Sequence, residues 1–140
     1  MLGLEKKIKK NQYVMEFNSE FKLMDFYIVK ILGILQREFD EYLRFVICEM
    51  ISNAIEHGNK MNFDKKIKVM VEDNKLFYRI VVADQGEGFD WATLVNEDIN
   101  LEGHSDRGRG IIMTKMMCDN ISYNSIGNEV TLIVMKNRMC

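Results

Sequence analysis

Along the first half of the chain the spacing of apolar positions changes period three times. Tyr13, Met15 and Phe17 alternate with Val14, Glu16 and Asn18, the two-residue repeat of a strand with one buried face. From about residue 20 to 37 the repeat becomes helical, carried by Phe26, Val29, Ile31, Leu32 and Leu35, and Ser19 stands where it can cap that helix. Asp40 opens a second helix. Its stripe is Leu43, Val46, Ile47, Met50, Ile51, Ala54 and Ile55, and Gly58 follows His57 as a residue able to take positive φ at the helix end. Alternation returns at Ile67, Val69 and Val71, and Asp73-Asn74-Lys75 makes a turn. Leu76 to Ala83 is nearly continuous in apolar residues, as a central strand is. Residues 90–106 are polar and weakly patterned, a loop with a helical turn. Gly110 begins a third helix, Ile111 to Met117, and Asn120 to Asn124 and Val130 to Lys136 form a hairpin about Gly127-Asn128.

The charged run Glu5 to Lys10 reads as a solvated leader into the first strand. The order is then β, α, α, β, β, loop, α, β, β. That order fits an α+β two-layer sandwich in which helices cover one face of a mixed, mostly antiparallel sheet. Residues 1–140 hold neither proline nor a serine- or glycine-rich linker, so a single domain is expected.

Composition narrows the class. Hydrophobic residues are 47% and charged residues 29%, the mix of a soluble globular domain. The net charge of −2 supplies no field for direct nucleic-acid binding or for an anionic membrane. Cys48, Cys118 and Cys140 are odd in number and lack metal-ligand spacing, which fits a reducing, cytoplasmic setting. The first residues resemble no signal peptide, and no apolar run is long enough to span a membrane.

Some chemistry is excluded by its missing signature. There is no GxxxxGK[ST] phosphate loop, no complete dinucleotide fingerprint, no HExxH and no GxSxG. Three clusters remain. Glu49, Asn53 and His57 recur at four-residue spacing, which places them on one face of the second helix. There a carboxylate can act as a base and an amide oxygen can ligate a hard cation such as Mg²⁺. The alternative is the wet face of an amphipathic helix. Asp84-Gln85-Gly86-Glu87-Gly88-Phe89 directly follows the apolar strand. An acid there can accept from an exocyclic amine such as adenine's, and the glycines allow a sharp turn and close approach. The alternative is an ordinary turn. Asp106-Arg107-Gly108-Arg109-Gly110 opens the third helix, where free N–H groups, the helix dipole and two guanidiniums suit an anion. The alternative is a loop-to-helix cap with solvated arginines.

Taken in order, the clusters resemble the three boxes of the GHKL ATPases, the histidine-kinase-like ATP-binding superfamily. Glu49 to Gly58 is similar to its N box, Asp84-x-Gly86-x-Gly88-Phe89 to its G1 box and Gly108-x-Gly110 to its G2 box. Thr131 stands where the family often has a threonine near adenine. Within the superfamily the chain most resembles the bacterial anti-sigma factors that are also serine kinases, the RsbW and SpoIIAB type. The signs are its size, its strand–helix opening, the ending Asn53-Ala54-Ile55-Glu56-His57-Gly58, and Met117 to Tyr123. The resemblance spans roughly residues 12–136.

That resemblance implies the Bergerat fold and an Mg–ATP site. Glu49 would align and deprotonate an acceptor hydroxyl, and Asn53 would ligate Mg²⁺. His57, Phe89 and Thr131 would line the nucleotide site. Asp84 would read the adenine amine, with Gly86 and Gly88 shaping the pocket. Arg107, Gly108, Arg109 and Gly110 would contact phosphates, and residues 90–106 would form a lid. The implied partners are a sigma factor and an anti-sigma factor antagonist, a STAS-type protein carrying the phosphorylated serine or threonine. A homodimer is also implied, and Tyr13 to Phe17 at a sheet edge would suit one. Within residues 1–140 neither a sensor-kinase phosphoacceptor helix ahead of the domain nor a long transducer domain behind it, as in gyrase- or MutL-type members, is expected. A different class of reading is a non-catalytic ATP-binding interaction module, for which Glu49 would have no use. A regulatory ATPase acting on another partner is a third.

Overall fold

The computed structural model describes residues 4–92 and 106–139. The first strand, β1 (Leu4–Lys9), pairs antiparallel with β2 (Gln12–Asn18). The charged run is therefore strand rather than leader. Lysine-rich sequence suits an edge, where charge deters further pairing. Because β1 covers one side of β2 and β3 the other, Tyr13 to Phe17 does not lie at the sheet edge.

Two helices follow, α1 (Phe21–Ile34) and α2 (Glu41–Asn53), and a π turn, Ala54–Gly58, continues α2. The strands β3 (Lys66–Asp73) and β4 (Phe77–Ala83) come next, then α3 (Asp106–Met117), β5 (Asn120–Tyr123) and β6 (Glu129–Met135). The six strands form one sheet in the order β1-β2-β3-β4-β6-β5. Every pairing is antiparallel, so the expected mixed sheet resolves to its antiparallel form. The fold is the α+β sandwich that the residue pattern implies.

Register explains the layers. Met15, Val69, Val82 and Val130 face one another across four strands, and Val71, Ile80, Leu132 and Ile121 form a second row. All eight are buried. The helices lie on this face. The Phe17 ring stacks on Tyr27 of α1, with centroids 4.3 Å apart, and every residue of the expected α2 stripe is buried.

Local chemistry sets the ends. Asp40 caps α2 by accepting from Leu43 N at 2.9 Å. Asn74 Oδ1 accepts from Leu76 N and Phe77 N in the β3–β4 turn, and Asn124 Oδ1 accepts from Gly127 N and Asn128 N in the last hairpin. Three expectations fail here. Phe26 and Val29 of α1 face outward, while Leu23, Tyr27 and Ile28 are buried. The N-cap of α1 is Glu20, with no side-chain bond, and the Ser19 hydroxyl accepts instead from Asn59 Nδ2 at 2.6 Å. Gly58 has no positive φ; the chain reverses through Lys60 and Met61, both left-handed. Among the described residues no helix is long and apolar enough to cross a membrane.

Candidate functional site

The second helix changes character at its C-terminal end. Asn59 N bonds Ala54 O at 2.8 Å, an i→i+5 contact that widens the last turn. Such turns recur at functional sites. The widening changes the angle at which half-buried His57 follows Asn53, so the three polar residues do not keep strict α-helical phase. Asn59 then locks the end. Fully buried, it donates to Ser19 Oγ and Lys66 O and accepts from Gln85 N at 2.7 Å. Nothing in the residue pattern singled out Asn59; a lone amide after a glycine carries no spacing signal.

This lock brings the end of β4 against the end of α2. Asp84 follows β4, and its Oδ1 accepts from Gly86 N at 2.8 Å, which turns the chain. A Cβ on Gly58 would overlap the Asp84 carboxylate, and one on Gly86 would overlap the Gly58 carbonyl. The glycine at 58 is thus required by space for a carboxylate, not by backbone angle. Gly88 does need its freedom, with φ at +84° and the Ile126 carbonyl against its Cα. Phe89 N donates to that same carbonyl at 2.9 Å, and the Phe89 ring meets Tyr123 edge-on at 5.2 Å. The Trp91 ring stacks on Tyr123, with centroids 6.0 Å apart.

Asn53 and Asp84 line one small pocket with Met50, Val82, Asn128 and Val130. Its free volume among the described residues is about 10 Å³, room for a single water. Asn53 is 8% exposed, and among the described residues its buried Nδ2 has no hydrogen-bond partner. An orphaned buried amide is costly and points to a polar group that completes it.

The Glu49 carboxylate lies one helical turn back, over the Cα of Gly110 on α3, where a Cβ would overlap it. Burial there pushes the Glu49 carboxyl above the ordinary carboxylate range. Burial likewise raises the neighbouring Cys48 thiol, with Glu49 and Asp25 adding to the effect.

Two assignments are corrected. Thr131 pairs with Val81 and Ser122 on the sheet face away from the helices, while Val130 and Asn128 line the pocket. Strand alternation decides this, since Val130 is buried and neighbouring positions must point oppositely. Gly108 and Gly110 do not precede the third helix but lie inside it, both buried, with Thr114 Oγ1 donating to Gly110 O at 2.9 Å. Gly110 lies close against Glu49 of α2. Arg109 is exposed. The Arg107 side chain and residues 93–105 of the expected lid lie outside the described residues.

The groups present suit Mg–ATP: Asn53 and Glu49 offer hard oxygen donors, the orphaned amide wants a polar partner, and Asp84 offers an acceptor in a cradle cleared by Gly58. Among the described residues no cluster of three histidine, cysteine or acidic side chains could hold a metal by itself. Phosphate oxygens would therefore have to complete the coordination of an ion held by Asn53. A search of curated proteins returned no match. The family model for the histidine kinase-like ATPase domain matches residues 33–135. That span contains α2, the π turn, β3, β4, α3 and the final hairpin, and the chain belongs to the histidine kinase-like ATPase domain family.

Proposed function

We propose that this ATP-binding domain is a cytoplasmic bacterial anti-sigma factor and a serine/threonine protein kinase. It sequesters a sigma factor as a homodimer and phosphorylates a small antagonist protein. Bound Mg–ATP supplies the phosphoryl group and spreads its charge. Asn53 holds the metal, and Asp84 accepts from the adenine amine and disfavours guanine, whose carbonyl oxygen would face a carboxylate. Glu49 orients the acceptor hydroxyl and takes its proton.

The observation that supports a kinase over a passive binder is Glu49. It is half-buried one turn from Asn53, with raised proton affinity. A carboxylate poised closer to neutral pH is a better base, and a binding module has no need to bury one. The test is Glu49→Gln with ATP and the antagonist. ATP affinity should stay near the parent value while transfer falls roughly 10²–10⁴-fold, the usual worth of a general base. Transfer at the parent rate would leave the ATP-binding module as the reading.

A further inference from the structure

A broad concavity lies at the opposite end of α2 from the nucleotide pocket. It is a groove of about 840 Å³ between the α1–α2 connection and the last turn of α3. Its floor is the buried Leu43, Val46 and Val134. Its walls carry Phe39, 95% exposed, Tyr42, 71% exposed, and Met116, 47% exposed. An aromatic held almost wholly in water beside an apolar floor is costly surface for a solitary domain. Exposed aromatics and methionine around a pocket are what buried interfaces are made from.

The rim is acidic. Glu38, Asp40 and Glu41 lie within four residues of chain on one side. The lining of the groove carries these three carboxylates against one guanidinium, Arg37. Arg37 is turned inward, its Nε donating to Tyr78 Oη at 3.0 Å, and Arg44 reaches the Glu38 carbonyl. An apolar floor with a carboxylate rim is complementary to an amphipathic helix whose apolar ridge is flanked by lysine or arginine.

We infer that this groove is a docking site for a basic amphipathic helix of a partner protein. The inference does not rest on the kinase reading, because none of the groove residues belongs to the nucleotide site. The two are nevertheless connected. Both α2 and α3 run from one to the other, Tyr42 and Asn53 being about 16 Å apart along the α2 axis.

The probe is a synthetic helical peptide with leucines at i, i+3, i+4 and i+7 and lysines elsewhere, followed by fluorescence anisotropy. A second peptide carries glutamate in place of lysine. The parent should bind the lysine peptide saturably and the glutamate peptide at least tenfold more weakly. Phe39→Ala/Tyr42→Ala and Glu38→Lys/Glu41→Lys should each weaken the lysine peptide by tenfold or more. Parent-like circular dichroism and melting would show that the folds are intact, as expected for exposed positions. Equal binding of both peptides, binding untouched by the substitutions, or no binding would overturn the inference. So would a dimer in sedimentation that Phe39→Ala dissociates, because the groove would then belong to a second copy of the chain.

Discussion

The two ends of α2 are built on opposite rules. At the N-terminal end Asp40 supplies one side-chain bond to Leu43 N, and Leu43, Val46 and Ile47 pack in α-helical phase. At the C-terminal end the phase breaks into a π turn, and order comes from polar contacts that converge on one buried amide, Asn59. Apolar packing tolerates small shifts, because dispersion contacts are many and individually weak. A buried amide tolerates none, because each unmade bond leaves a second group orphaned. The site is placed by the intolerant end, which suits chemistry that depends on position.

If that contrast holds, Asn59→Ala should be the most damaging change at either end. It orphans Ser19 Oγ, Lys66 O and Gln85 N together, so unfolding free energy in urea should drop by about 3 kcal/mol or more. A loss under about 1 kcal/mol would mean that the turn is held by its apolar neighbours instead.

Asp40→Ala tests the other end. Only one bond is lost and the packed stripe remains, so the cost should be about 1 kcal/mol, the usual worth of a cap. A loss as large as that of Asn59→Ala would erase the distinction between the ends.

The smallest effect is expected between them. Burial raises the Glu49 pKa in the folded state above its unfolded value, so the folded chain binds that proton more tightly. The associated stability is present below the unfolded pKa and is lost as pH rises through the folded one. Glu49→Gln removes the cost of holding a buried negative charge. The variant should melt higher than the parent at neutral pH, by on the order of 1–2 °C because solvent screens the group. The gap should close as pH falls into the ordinary carboxylate range. A gap that is constant with pH would remove the charge as its cause.

The same contrast explains what was legible in the sequence. The α2 stripe could be read in full, because its polar positions leave only one phase open. The α1 stripe could not. With Leu23, Phe26, Tyr27, Ile28 and Val29 all apolar, several phases fit, and tertiary packing chose the one that stacks Tyr27 on Phe17. β1 was missed because an edge strand can be as charged as a leader. Thr131 was misplaced by one position, which in a strand is the whole difference between faces. Glu49 and Asn53 were legible as candidates because they recur at fixed spacing on a mostly apolar helix, and Asp84 because it directly follows an apolar strand and opens a glycine-rich turn. Asn59 and Asn128 were not, since each sits in a turn where asparagine is common for other reasons.

The strand order also bears on how the chain is expected to fold. β1 with β2, β3 with β4, and β5 with β6 are hairpin neighbours, and each pair can close over a short loop. Joining the hairpins is different. Phe17 must find Ile67 across all of α1, α2 and the π turn, and Val82 must find Val130 across α3 and β5. Such non-local closures lose chain entropy before their contacts repay it, so they set the pace. The Asn59 lock bridges Ser19 after β2, Lys66 at the start of β3 and Gln85 after β4. Its bonds bridge segments that the β2–β3 closure brings together, so the corner holding Asn53 and Asp84 is expected to order late in folding.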